Sequence, residues 1–215
     1  MSGHPALVLG ASRGFGRAVA EALGATGMHV IAVARTDGGL EELDDAIRAA
    51  GGSATLAPMD ITDSDAMRHL CRSVHDRWGG LALWVHAAIE VPPLSPADHI
   101  DARAWARALC VNVEAPGVLI GFLAPLLAAG AGRAVHVDDE NAGRFHGAYA
   151  ATKAAQRALF AAWAGERRRL GAPHVLSFTP RPMATALRAR FYPGESRSAL
   201  AAPAAEAGRL LAALG

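Results

Sequence analysis

Short apolar runs alternate along the chain with longer stretches in which apolar positions recur every three or four residues. The short runs predict strands at Ala6–Leu9, His29–Ala34, Ala54–Ala57, Leu81–His86, Arg133–Val137 and His174–Phe178. Most are continuously apolar rather than alternating, the pattern of strands covered on both faces. Helices are predicted at Gly14–Ala25, Leu40–Ala50, Ser64–Trp78, Ala102–Ala129 (one bent helix or two) and Ala148–Leu170, and Ala204–Leu214 closes the chain. Asp63 is the expected N-cap of the third helix and Gly51-Gly52 the stop of the second. Strand–helix alternation repeated this often implies βαβ units, hence an α/β fold with a doubly wound parallel sheet and helices on both faces. Ligands in such sheets sit beyond the carboxyl ends of the strands, where strand order reverses. The stretch from Thr179 to Pro203 is less regular and reads as a substrate loop or lid.

Length and composition narrow the classes. The 215 residues fit a single domain spanning 1–215, with no linker, repeat or charge block to divide it. The 52% hydrophobic share is inflated by 50 alanines, which leaves an ordinary globular complement of larger apolar groups. A net charge of +1 gives no basic excess for nucleic acid. Cys71 and Cys110 lie far apart, so neither a disulfide framework nor a Cys-rich zinc site is expected. The nine histidines show no metal-ligand spacing, and no metal is expected. The N-terminus lacks a basic signal region, and the apolar run Val118–Ala131 is shorter than a membrane helix. A cytoplasmic protein with no membrane partner is therefore the expectation.

Three motifs carry chemistry. Gly10-Ala-Ser-Arg-Gly14-Phe-Gly16 follows the first strand and opens a helix. Glycines there let backbone N–H groups approach a pyrophosphate at the positive helix end. The second strand ends in Ala34-Arg35, with no acid until Asp37. A guanidinium pairs with a 2′-phosphate, whereas a carboxylate would accept from a free 2′-hydroxyl, so Arg35, with Arg13 in the glycine loop, favours NADP(H) over NAD. Tyr149 and Lys153 stand four apart and share a helix face. An ammonium near a phenol favours phenolate and moves the acid toward working pH.

In order along the chain come the glycine motif, Asp60 after the third strand, His86-Ala87-Ala88 ending the fourth, and Asn112 in a long helix. Tyr149 and Lys153 follow the fifth strand, and Pro180 to Thr185 the sixth. This set resembles the short-chain dehydrogenase/reductase family across nearly the whole chain. The resemblance implies a Rossmann-like sheet and roles at matching positions. Gly10, Ser12, Arg13, Gly14, Phe15 and Gly16 would cradle the pyrophosphate, and Asp60 and Ile61 would meet the adenine. His86, Ala87 and Pro180 would line the coenzyme, and Thr185 would reach its carboxamide end. Tyr149 would be the acid/base, Lys153 would hold the nicotinamide ribose and lower the Tyr149 pKa, and Asn112 would keep a helix kink and a proton-relaying water. The implied activity is NADP(H)-dependent hydride transfer to or from a small-molecule carbonyl, alcohol or imine.

The chain also departs from the family. His86 stands where the family has Asn, and is expected to be a buried strand-end histidine rather than a catalytic one. Asp139 aligns with the family's substrate-binding serine, in a link to Tyr149 about three residues shorter than usual. An ionised carboxylate only accepts hydrogen bonds. Asp139 is protonated and donates, or Asn141 or His146 supplies the donor, or ordinary carbonyl reduction is lost. The last case makes the chain an NADP(H)-binding sensor or regulatory protein. Asp138 and Glu140 are expected to be solvated. Glu90 with Asp139 would form an acidic pocket for a cationic amine or imine. Arg181 replaces a usual glycine, facing the nicotinamide or turned outward. The family's seventh strand is not found, so six strands are expected, and the small residues of the long helices either allow a homodimer through them or pack on the sheet.

Overall fold

The computed structural model describes residues 3–139 and 143–215. Its strands are β1 (Ala6–Leu9), β2 (Val30–Ala34), β3 (Ala54–Pro58), β4 (Leu83–His86), β5 (Arg133–Val137) and β6 (His174–Phe178). They form one six-stranded sheet in the order β3-β2-β1-β4-β5-β6, with every neighbouring pair parallel. The fold is the expected Rossmann-like one. β4 starts two residues later than its apolar run suggests. Leu81 N–H donates to Leu126 O and Ala82 N–H to Pro5 O, so these residues dock the strand's entry rather than extend the ladder.

The helices are α1 (Gly14–Ala25), α2 (Asp37–Ala49), α3 (Ser64–Trp78), α4 (Ala102–Leu109), α5 (Ala115–Ala129), α6 (Gly147–Arg167), α7 (Ala186–Phe191) and α8 (Pro203–Leu214). Asp63 caps α3 as expected, accepting from Asp65 and Ala66 N–H. α2 starts three residues earlier than expected, running through Gly38 and Gly39. A Cβ on Gly39 would lie 2.9 Å from Ser12 Cβ, so this turn needs a bare backbone to pack on the glycine loop. A π-turn at Cys110–Glu114 joins α4 to α5. The run Ala102–Ala129 is thus continuous, and by length and composition it is long and apolar enough to cross a membrane. Leu119, Leu123, Leu126 and Leu127 of this run are buried in the core beside the sheet.

Successive strand residues point to opposite faces. Ala6, Val8, Val30 and Ala32 pack with α1, α2 and α8, while Leu7, Leu9, Ile31 and Val33 pack with α3, α5 and α6. Both faces of β1 and β2 are therefore dry, which is why these strands read as unbroken apolar runs. The segment expected as a loop carries more order. It holds α7, a short turn at Arg197–Ala199 and a bridge between Met183 and Ala201. Buried Glu206 of α8 accepts from Arg181 N–H (2.9 Å) and Arg181 Nε (2.6 Å) and also pairs with Arg209. Arg181 is therefore turned onto α8.

Candidate active site

Strand order reverses between β1 and β4. There Leu9 pairs with His86, and Ala87 N–H donates to Leu9 O (3.0 Å). The glycine loop leaves β1 at this point. Gly10 has φ +84°, and a Cβ on it would come within 2.7 Å of Ala88 N. A Cβ on Gly16 would lie 2.2 Å from Gly10 O. Both glycines are thus required by close backbone approach, not only by flexibility. Arg13, the N-cap of α1, makes no side-chain cap, so the first N–H groups of α1 have no side-chain partner from the cap position. Thr185 closes on this loop, 3.7 Å from where a Gly14 Cβ would be, and caps α7. The cradle fits a pyrophosphate: it offers N–H groups, a helix N-terminus and no side chain to fill it.

The next charges along the crevice form a quartet. Arg35, just beyond β2, lies 3.5 Å from Glu90 Oε2 and 4.0 Å from Asp60 Oδ2. Arg107 of α4 reaches the same two oxygens, at 3.2 Å and 3.8 Å. Asp60 is further held by Thr62 N–H (3.0 Å) and Thr62 Oγ1 (2.8 Å). Burial pushes the Asp60 carboxyl up, but the Thr62 bonds and the two arginines outweigh it and hold it below the usual range.

The opposite end of the crevice is buried. Tyr149 Oη donates to Asp139 Oδ2 (2.9 Å). Burial first, and then the charge and hydrogen bond of Asp139, hold the Tyr149 hydroxyl well above the usual phenol range. This reverses the expected direction, in which Lys153 lowers the phenol. Lys153 itself donates to Val137 O (2.7 Å) and Gln156 Oε1 (2.6 Å). Burial brings its ammonium down to about 8, against the pull of Asp138 and Asp139. Gln156 Nε2 donates to Asn112 O (3.0 Å) and to His86 Nε2 (3.2 Å). The amide orientation is fixed, because its oxygen must face the ammonium. His136 Nε2, 2.9 Å from that oxygen, must then carry a proton, and His86 Nε2 must be bare. Both rings are neutral: burial, then the Lys153 charge, depresses His86 to about 3 and His136 to about 4.

Asn112 occupies the π-turn, as the implied helix kink requires. Its amide is spent on Glu90, accepting from Glu90 N–H and donating to Glu90 O (both 2.8 Å), and on Thr152 Oγ1 (3.0 Å). Its main-chain oxygen takes the Gln156 amide. The line from Lys153 to Asn112 is therefore bridged by a side chain.

Other expectations change on the structure. Glu90 does not make an acidic pocket with Asp139, because its carboxylate is neutralised by Arg35 and Arg107. Asp138 is not a solvated acid. It is buried and bonded to Arg157 Nε (2.6 Å), which, with Asp139 N–H, overcomes the upward push of burial and holds the carboxyl below its usual range. His146 is buried, its Nδ1 3 residues before Tyr149 facing Arg144 O (2.9 Å) and its ring against Phe191 and Tyr192. Because a carbonyl oxygen only accepts, Nδ1 carries the proton and Nε2 of the neutral ring is an acceptor, without a hydrogen-bond partner among the described residues, so His146 does not supply the expected donor. Phe15 stacks on Phe178 in the core at 5.7 Å, and Ile61 is also a core residue, so neither side chain faces the crevice. Asn141 and Glu140 lie outside the described residues. Sequence reading missed Gln156, Thr152, His136 and Arg107. Gln156 and Thr152 carried a signal, lying at helical spacing from Tyr149 on one face.

The chain matches the short chain dehydrogenase family over residues 4–196. It belongs to the short-chain dehydrogenase/reductase family. A short chain dehydrogenase from Pseudocercospora fijiensis is 31% identical over 188 residues, 85% of this chain. The match covers 60% of that relative and 46% of another, so the chain spans about half the length of the curated relatives it matches. A solved metagenomic short-chain oxidoreductase in complex with NADP is 28% identical, with a TM-score of 0.80, and the match covers 99% of this chain and 91% of that one. A solved Escherichia coli CFT073 structure complexed with NADPH is 25% identical, with a TM-score of 0.88, covering 99% and 90%.

Proposed function

We propose that this short-chain dehydrogenase/reductase uses NADP(H) to move hydride to or from a small-molecule carbonyl, alcohol or imine, with Tyr149 as acid/base. The bond between Tyr149 Oη and Asp139 Oδ2, one helical turn from Lys153, is the observation that carries this reading. The two solved relatives that hold NADP and NADPH support the coenzyme, as does Arg35 at the end of β2. The coenzyme, when bound, supplies or accepts the hydride. Gly10, Ser12, Arg13, Gly14 and Gly16 would hold its pyrophosphate, Arg35 and Asp60 its adenosine half, and Ala87, Pro180 and Thr185 its nicotinamide half.

The chain's own residues handle the proton. In reduction Tyr149 Oη releases its proton to the substrate oxygen or nitrogen as the proton carried by Asp139 moves onto it, and the Lys153 ammonium steadies the charge that builds on the phenol oxygen during the transfer. In oxidation Tyr149 takes the substrate proton while its own passes to the Asp139 carboxylate. The raised Tyr149 pKa means that the phenol stays protonated through the working range, so a concerted transfer replaces a standing phenolate. Asp139 accepts where the family's serine donates, which favours a substrate whose reacting group carries a proton, as an alcohol or an iminium does.

A second reading, an NADP(H)-binding protein without turnover, is favoured by the same bond, since Asp139 ties up the hydroxyl. One experiment separates the two. NADPH consumption is followed with a panel of carbonyls and imines for the wild type and Tyr149→Phe. The enzyme reading expects a loss of about a hundredfold or more in Tyr149→Phe with coenzyme binding retained. Binding without turnover on any substrate would favour the second reading, and equal rates would remove Tyr149 from the mechanism.

A further inference from the structure

A single oxygen, Glu90 Oε2, sits between two guanidinium groups from different elements. Arg35 leaves the end of β2 and Arg107 projects from α4, and they meet this atom at 3.5 Å and 3.2 Å. The charges of Arg35, Arg107, Asp60 and Glu90 sum to zero. A phosphate dianion entering here meets no net positive charge unless a carboxylate leaves. The two carboxylates are not equally held. Asp60 is pinned by both hydrogen bonds from Thr62. The Glu90 carboxylate meets only Arg35 and Arg107 among the described residues, while its backbone is clamped at N–H and C=O by Asn112. Its side chain can therefore swing out without disturbing the main chain.

We infer that Arg35 and Arg107 together form a 2′-phosphate site, and that Glu90 is its internal stand-in, holding both guanidinium groups until the phosphate displaces it. This rests on the NADP(H) reading above and adds to it a second cation and a competing anion. Exchange of one anion for another conserves the convergence of the two planar forks, and phosphate offers each of them a bidentate partner. NADH carries a hydroxyl at this position, so it gains little from displacing Glu90.

Binding titrations in the absence of substrate test the inference through the fluorescence of NADPH and NADH, with adenosine 2′,5′-bisphosphate and 5′-AMP as competitors. The variants are Arg35→Ala and Arg107→Ala, whose side chains are about half in water, and Glu90→Gln, whose partly buried carboxylate meets only those two arginines among the described residues. Arg107→Ala is expected to weaken NADPH and the bisphosphate about tenfold, as Arg35→Ala does, while NADH and 5′-AMP change by less than about twofold. Glu90→Gln is expected to tighten NADPH by about threefold or more and leave NADH unchanged. Equal wild-type affinity for the two coenzymes would overturn the coenzyme reading and this inference with it. A wild-type preference for NADPH that persists in Arg107→Ala would overturn the inference alone. So would a Glu90→Gln variant that weakens NADH, since Glu90 would then serve the ribose hydroxyl.

Discussion

At the Tyr149 end of the crevice the buried cation is a lysine, with Arg157 paired to Asp138 behind it, whereas at the Arg35 end two arginines and two carboxylates stand partly in water. Lys153 is the only lysine in a chain whose other 20 basic residues are arginines. The contrast follows from what each end must do. A cation that steadies charge on a buried phenol oxygen has to be compact, and an ammonium is a point charge, whereas a guanidinium is a planar fork. A group that grips an exchangeable anion should stay charged and partly hydrated, which suits arginine. The buried end is preset by hydrogen bonds that fix the side chains of Lys153, Gln156, His86 and His136 against one another. The exposed end is held by ion pairs that water screens and a ligand can replace.

Exchanging the cations is the hardest test of this contrast. Lys153→Arg should lower turnover by about a hundredfold or more, because a planar fork cannot replace the ammonium between Val137 O and Gln156 Oε1. Arg107→Lys should cost NADPH affinity only about threefold, since a point charge still reaches the anion. Steady-state rates and coenzyme titrations measure the two, and similar losses would erase the distinction.

Gln156→Leu sharpens the comparison on the stability side. It leaves Asn112 O and both histidine Nε2 atoms without their partner and strips one acceptor from Lys153. Urea denaturation should show a loss of about 2–4 kcal/mol, the cost of several buried polar groups left unpaired. Glu90→Gln, in the exposed quartet, should change stability by less than about 1 kcal/mol.

A smaller effect is acid sensitivity. His86 and His136 have folded pKa values of about 3 and about 4, below their ordinary value of 6.5. The unfolded chain therefore binds protons that the folded one refuses. Their neutral burial costs nothing above pH 6.5, and stability is lost as pH falls from there toward about 4. Urea midpoints at pH 7 and pH 5 should differ in the wild type, and the difference should shrink in His136→Gln.

Much of this was legible in the sequence, for reasons that can be named. β1, β5 and β6 coincide with the runs read for them, and β1, buried on both faces, leaves an unbroken apolar signature. The glycine loop and the Tyr149–Lys153 pair were legible because each is a short pattern of fixed spacing at the start of a helix, although Gly10 also answers to the distant Ala88 backbone. Asp139 was placed by counting from β5, and it does meet Tyr149. Glu90 was misjudged, because its side chain follows partners 17 and 55 residues away that no local pattern reveals. Gln156 was passed over because its importance lies in bridging β4, β5 and the π-turn at once, which is a tertiary fact. The side chains of Phe15 and Ile61 belong to the core, a tertiary placement that their motif positions do not reveal.

The buried end can be tested on a single group. With lysine labelled at its ε carbon, the chain gives one side-chain signal, that of Lys153, whose NMR titration reports its pKa directly. The account predicts a midpoint near 8 that moves in Gln156→Leu, as the ammonium loses an acceptor within a dry site. A midpoint at the ordinary lysine value of 10.5, unchanged in that variant, would contradict it.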